Sequence, residues 1–394
     1  MKITQIFKIY WPGNGGGIAT VMEHIADGCR DWEQEIIVCQ DSRKKRCADS
    51  RYHGIAVHRC RQLFEMASTP VSFQFLLDVK RRTRDSDIVV CHFPYPMADL
   101  AVLFGMYSGR LVVWWHCGFE KDRKLAFLYR PLVRHTLQKA DRILVSSRGN
   151  LENTGMLRKY RGKCSVVPFC ISDAYRKRGQ AHAETFYKEK QQEGRAGCGR
   201  SRVSILFIGR FVWYKGCDIL LRAFARMQCR DCRLVLVGSG PLERELKRLA
   251  ASLKLKNVLF AGRVSEEEKL RQIEQCDFLV LPSVSEAEAF AIVQLEAMAF
   301  GKPVINTRLK SGVPYVSIGG VTGITVKPGS VKELASAMDE LAGDEKLRRK
   351  YGANALKLVQ KEYTQEMMVN RHRRIFEKLV LKDETELRQN EDCI

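Results

Sequence analysis

Two acids, Glu288 and Glu296, flank seven mostly apolar residues in the stretch SEAEAFAIVQLEAMAFGKPVI, Ser285 to Ile305. A lone carboxylate placed in a core costs several kcal/mol, so each acid requires a partner, either a protein cation or a polar ligand. A strand is predicted to end near Ser283 and a helix to begin near Ala291. Eight residues span a little over two helical turns, so the acids are expected to act as separate acceptors at one helix start. Earlier, GRFVWYKGCDILLRAFA places Arg210 just past a strand and Lys215 at the entry to a helix. A fork-shaped guanidinium beside a compact ammonium suits a diphosphate. Near the N-terminus, WPGNGGGIATVMEH sets Gly13 to Gly17 between a strand and a helix, where glycines admit close backbone approach and a helix start offers N–H groups to an anion. Gly13 and Gly15 match the opening of a dinucleotide fingerprint and Asp41 stands where its ribose-binding acid would, but Ile18 replaces the third glycine. On its own the loop reads as a dinucleotide site or as a tight turn without a ligand. The pair Cys229 and Cys232 has no second pair or histidine pair at zinc spacing, so no metal is expected.

These residues need rigid elements to hold them. Short β-branched runs (KITQIFKIY, QEIIVCQ, IAVHRC, DIVVCHF, LVVWWHC, RILVSS, SVVPF) alternate with helical patterns. A second such series runs from SILFIG through RLVLVG, VLFAG, FLVLPS and KPVIN to GITV. Strand and helix in repeated alternation predict an α/β fold of two Rossmann-like parallel-sheet domains, with ligands at the carboxyl ends of the strands and the cleft between domains as the default site. The expected division is a first domain over 1–176, a polar linker over 177–202, a second domain over 203–363 and a helical tail over 364–394 that packs back toward the first domain.

The 394 residues carry a net charge of +21, which calls for a polyanionic partner. A basic amphipathic pattern over Glu120 to Lys139 sets Leu125, Phe127, Leu128, Leu132, Val133 and Leu137 beside Lys124, Arg130, Arg134 and Lys139. It reads as a helix on an anionic membrane surface or as a surface helix packed on its own domain. No helix-turn-helix, RNP or zinc module accompanies the charge, so nucleic acid is not the expected partner. The N-terminus lacks a secretory pattern, the apolar runs fall short of a bilayer span and the cysteines are scattered through apolar runs, so a cytoplasmic protein is expected, peripheral on the inner face of the plasma membrane if it meets lipid at all.

Taken in order, GGGIATVMEHIA, VVWWHCG, GRFVWYKGCDILLRAF, LVLVGSGPLERELK, VLFAGRVSEEEKLRQIEQCDFLVLPS and the E-x7-E stretch resemble the retaining GT-B glycosyltransferases of family 4 across almost the whole chain. The resemblance implies a transferase that uses a nucleoside-diphosphate sugar, with no other cofactor and no metal, and a glycan or lipid-linked acceptor. It implies that Glu288 accepts from hydroxyls of the donor sugar and Glu296 from the ribose. Arg210 and Lys215 would neutralise the leaving diphosphate, helped by backbone at Phe290, Ala291, Ile292 and Val293 and by Gly16 and Gly17 across the cleft. His116 would lie against the donor sugar, Gly262, Arg263 and Val264 against the base, and Gly238 in the G-x-G-P turn would belong to the donor site. Retention would use a front-face displacement. The chain departs from the family at Ala289 and Ala291, where most relatives have glycine, and in VPFCIS, where many read Pro-Asn-Gly. The segment NTRLKSGVPYVSIGGVTGITVKPG resembles bacterial mannosyl- and rhamnosyltransferases of O-antigen or capsule synthesis, which implies a GDP-sugar; a UDP-sugar enzyme of the same fold, or an oxidoreductase or nucleic-acid-binding protein, is the alternative.

Overall fold

The structure, a computed structural model, describes residues 1–11, 17–39, 47–66, 69–118, 123–193 and 202–391. Gly16 and Asp41 lie outside the described residues. The chain divides into two compact units, Met1–Phe169 with Gln365–Ile394, and Cys170–Thr364.

The first unit holds strands β1 (Lys2–Ile6), β2 (Glu33–Cys39), β3 (Ala48–Tyr52), β4 (Ile55–Cys60), β5 (Phe64–Met66), β6 (Thr69–Val71), β7 (Ile88–Phe93), β8 (Arg110–Trp115), β9 (Arg142–Val145) and β10 (Cys164–Val166). Eight of them form one sheet in the order β10-β9-β8-β7-β1-β2-β4-β3, parallel except for β3, and β5 and β6 form a separate hairpin. All six residues of β7 are buried, as expected of a central strand covered by helices on both faces. Strand order reverses between β1 and β7, which makes the carboxyl ends of these two strands the switch point of the unit. Helix Gln365–Glu391 belongs to this unit and crosses helix Gly17–Gly28 so closely that a Cβ on Gly28 would stand 1.9 Å from a Val369 methyl.

The second unit holds β11 (Val203–Ile208), β12 (Cys232–Val237), β13 (Val258–Gly262), β14 (Phe278–Val280), β15 (Val304–Thr307) and β16 (Gly323–Val326). They form an all-parallel sheet ordered β13-β12-β11-β14-β15-β16, whose switch point lies between β11 and β14. Its core gathers Ile205, Phe207, Leu234, Leu236, Phe278 and Val280 under Leu220, Leu221, Leu334, Met338 and Leu341 from the covering helices.

The stretch 177–202, read as a polar linker, is helical as far as Glu193, in helix Asp173–Glu193 of the second unit. Its composition is polar because it packs by ion pairs. The Arg178 guanidinium holds Glu274 at 2.7 Å and Glu267 at 2.8 Å, and at Gly179 the helix approaches the Ala299 carbonyl so closely that a Cβ would stand 2.3 Å from that oxygen. Residues 194–201 lie outside the described part of the chain.

Candidate active site

Arg210 lies two residues past the end of β11 and is exposed at the carboxyl end of the sheet. The chain then makes one 3-10 turn, Trp213–Lys215, and passes through Gly216 in the left-handed region, φ 64°, into helix Cys217–Arg226. Glycine is required at 216 for two reasons, since besides the dihedral a Cβ would meet the Pro282 carbonyl oxygen at 2.2 Å. That approach carries Lys215 across the switch point to the loop after β14. Lys215 Nζ stands 2.5 Å from Glu288 Oε2, and the Ser283 hydroxyl donates to the same oxygen at 2.9 Å. Burial opposes charge on Lys215, but the adjacent Glu288 carboxylate outweighs it and holds the ammonium pKa above its ordinary value. A buried ion pair therefore sits where β11 and β14 diverge.

The loop that carries Glu288 rests on a buried polar network. Gln294 Nε2 donates to the Phe290 carbonyl at 3.0 Å, and Asn306 Nδ2 donates to Gln294 Oε1 at 3.0 Å, Val313 O at 3.1 Å and Ser317 O at 2.9 Å. Ala291 caps helix Ile292–Ala299 with φ 61° and ψ 78°. This dihedral suits glycine better than alanine, because a left-handed residue with a Cβ costs roughly 1–2 kcal/mol. Phe290 is buried, while Ile292 and Val293 are half-buried at the helix start.

Glu296 faces a second cation, Lys269, at 3.1 Å. Lys269 also meets Glu266 at 3.0 Å and lies 5.1 Å from the centre of the Tyr175 ring. Burial pushes the Glu296 carboxyl up against the attraction of Lys269, while Lys269, opposed by its own burial, is raised by Glu296 and Glu266. Gly262 ends β13 with φ 69°, Arg263 is exposed, Val264 is half-buried, and Ser265 caps helix Glu266–Gln275 by accepting from Glu268 N. Gly238 follows β12 with φ 138°, and a Cβ there would stand 1.9 Å from the Gly209 oxygen. Its demand for glycine thus comes from the close approach of two strand ends within the sheet.

In the first unit, Gly17 opens helix Gly17–Gly28 and is exposed, and His116 lies just past β8, buried. The His116 ring stacks on Trp114, centroids 4.6 Å apart and planes 5° apart, with Phe169 at 5.7 Å. Its Nε2 is 2.9 Å from His92 Nδ1 on β7, and burial lowers its pKa to about 3.

Sequence reasoning named Glu288 and Lys215 but not their pairing, and it missed Lys269, Ser283, Gln294, Asn306 and His92. The requirement that each acid find a partner pointed to such cations; which lysine answers it depends on strand order. For metals, Cys47, His58 and Asp78 bring three ligand atoms within 4.8 Å of one another. Both ring nitrogens of His58 already face carboxylates, Asp49 at 2.7 Å and Asp78 at 2.9 Å, so the cluster closes as a hydrogen-bonded network.

Two Rossmann-like parallel sheets, the second with an ammonium–carboxylate pair at its switch point, define the GT-B class of glycosyltransferase. Residues 195–358 match the family model for glycosyl transferases group 1, and residues 15–174 the model for Glycosyltransferase Family 4. The chain is 31% identical to the O-antigen chain mannosyltransferase C of Escherichia coli, over 96% of this chain and 99% of that one. It is 32% identical to the D-rhamnosyltransferase WbpZ of Pseudomonas aeruginosa, over 90% of each. The sucrose-phosphate synthase of Thermosynechococcus elongatus superposes over 97% of this chain and 99% of its own with a TM-score of 0.76 at 18% identity, a likeness of fold. The protein belongs to the family 4 glycosyltransferases, and the oxidoreductase alternative falls away.

Proposed function

We propose that the protein transfers a hexosyl group of the mannose or rhamnose type from a nucleoside-diphosphate sugar, GDP-linked by preference, to a glycan or lipid-linked acceptor in cell-surface polysaccharide synthesis, with retention of configuration and without a metal. The observation that carries this reading is the Lys215–Glu288 pair, 2.5 Å apart at the switch point of the second unit. A departing diphosphate gains negative charge, and cations fixed in advance where that charge develops lower the barrier. Arg210 and Lys215 fill that role, and the start of helix Ile292–Ala299 adds its dipole. Glu288, held in place by Lys215 and Ser283, accepts from hydroxyls of the transferred sugar. Glu296, held by Lys269, accepts from the ribose. Gly262, Arg263 and Val264 serve the base, Gly238 keeps the neighbouring turn tight, His116 serves the sugar, and Gly16 and Gly17 serve the diphosphate. The sugar type and acceptor class follow from the mannosyl- and rhamnosyltransferase relatives.

Contact with an anionic membrane at the cytoplasmic face fits helix Arg123–Lys139. Val133 and Leu137 are buried in the core of their unit, while Phe127, Leu128, Arg130 and Arg134 are exposed. Among the described residues no helix is long and apolar enough to cross a membrane.

Glu288→Ala and Lys215→Ala are each expected to abolish sugar transfer while the protein stays folded; wild-type turnover in either variant would refute the site. Screening GDP-, UDP- and dTDP-sugars for thermal stabilisation identifies the donor, and a UDP-sugar as the strongest stabiliser would favour the UDP-dependent alternative. The anomeric configuration of the product, read by NMR, and activity retained in EDTA test retention and metal independence.

A further inference from the structure

The polarity of the contact that His116 can make is set by two residues behind it. The Met22 carbonyl can only accept, so the group it faces at 3.1 Å is the Gln5 amide nitrogen, and Gln5 Oε1 necessarily points the other way. That oxygen lies 3.0 Å from His92 Nε2, which must therefore carry a hydrogen. Burial, with the neighbouring His116 and His372, holds His92 neutral, so its Nδ1 is a bare lone pair. His92 Nδ1 stands 2.9 Å from His116 Nε2, which must in turn be N–H. A neutral His116 then has an unprotonated Nδ1, and this buried atom has no partner among the described residues. The ring has little freedom to turn away. Trp114 lies parallel to it and is itself fixed, because its indole N–H donates to His372 Nε2 at 3.1 Å while His372 Nδ1 donates to the Met368 carbonyl at 2.9 Å.

We propose that Gln5 and His92 are positioning residues that hold His116 in its Nε2–H tautomer, so that Nδ1 offers a hydrogen-bond acceptor to a hydroxyl of the transferred sugar. A bare imidazole nitrogen rewards an O–H donor and rejects a substituent that can only accept, so the relay selects for a free hydroxyl at one position of the sugar. The proposal rests on the assignment of His116 to the donor sugar, and the test separates the two. In protein labelled with 15N-histidine, the His116 signal is identified by its loss in His116→Gln. It is expected to show a protonated Nε2 and a bare Nδ1. The Nδ1 resonance should move on addition of the sugar nucleotide that stabilises most in the donor screen and stay in place with the matching nucleoside diphosphate alone. An Nδ1–H or doubly protonated His116 overturns the relay even with transferase activity intact; a His116→Gln variant with wild-type kinetics overturns the assignment of His116 to the sugar. His92→Leu is expected to raise KM for the donor about tenfold with kcat within about twofold, the loss of roughly one hydrogen bond made equally in ground and transition states. His92→Asn, which keeps an acceptor near the Nδ1 position, is expected to recover most of that affinity. Unchanged KM in folded His92→Leu, or no recovery in His92→Asn, overturns the proposal.

Discussion

At the residue scale, Lys215 and Glu288 depend on each other more than either depends on anything else within reach. Both side chains are nearly inaccessible, so removing one strands the other in a medium that penalises an isolated charge. Lys215→Ala or Glu288→Ala is therefore expected to lower unfolding free energy by about 3–5 kcal/mol, whereas the double replacement Lys215→Met with Glu288→Leu should restore most of it and remain inactive. Urea titration of the three variants checks this, and additive losses would show that the pair is not coupled. The two residues were legible in the sequence as a cation after one strand and an acid after another. Their partnership was not, because it arises from β11 and β14 lying side by side, a fact of topology. The same holds for Lys269, which in EEEKLRQIEQ reads as an ordinary member of a charged helix face and finds Glu296 only through the fold.

At the scale of elements, alternation and β-branched runs disclosed the strands of both sheets well, and they missed β3, whose residues ADSRY are mostly exposed at an edge. Helix Asp173–Glu193 escaped because helices held by ion pairs, such as Arg178 with Glu267 and Glu274, lack the apolar stripe that periodicity detects. Ala291 shows the opposite case, in which a residue with a Cβ holds a backbone conformation that suits glycine. Relief of roughly 1–2 kcal/mol of left-handed strain, less about 0.5–1 kcal/mol for the added freedom of the unfolded chain, should leave Ala291→Gly more stable than the parent by about 0.5–1 kcal/mol with transfer retained. A loss of stability on urea unfolding would contradict this account. Strand β7, the residue after β8 and helix Gln365–Glu391 also contribute His92, His116 and His372, all lowered by burial, His372 to about 4 and His116 to about 3. Neutral histidines of this kind stabilise the fold above their unfolded pKa of 6.5, and that stability is lost as pH falls toward the folded values. Asp99 in the same unit, pushed up to about 7 by burial, works the other way and gains stability over the same range. With three histidines that take up protons on unfolding against the opposing carboxyl of Asp99, stability is expected to fall as pH drops between about 6 and 4.5. Tryptophan fluorescence of a Trp213→Phe variant follows this, because the remaining tryptophans, Trp11, Trp32, Trp114 and Trp115, all belong to the first unit. Asp99→Asn should steepen the slope, and a flat profile would sink the argument.

At the scale of the whole molecule, a charge of +21 exceeds what a nucleotide and a diphosphate require, and excess positive charge matters most where it can act together with apolar surface. Helix Arg123–Lys139 meets both conditions, since its inner residues Val133 and Leu137 tie it to the core while Phe127 and Leu128 are about 70–76% exposed beside Arg130 and Arg134. The reading of a surface helix packed on its own unit holds for Val133 and Leu137, while Phe127 and Leu128 stay exposed. Basic residues near an anionic surface contribute about 1 kcal/mol each, and short apolar side chains add to that when they reach the acyl boundary. The protein is expected to sediment with vesicles containing anionic lipid, less so as salt rises, and poorly with neutral ones. Arg130→Glu with Arg134→Glu should weaken vesicle binding at least tenfold while leaving transfer to a soluble acceptor analogue unchanged, because neither residue belongs to the proposed donor site. Phe127→Ser with Leu128→Ser should weaken it in a way that salt does not reproduce. If both pairs bind as the parent does, the helix is a solvated surface of its own unit and the charge must serve another anion. If the arginine pair alone matters, attachment is electrostatic and reversible.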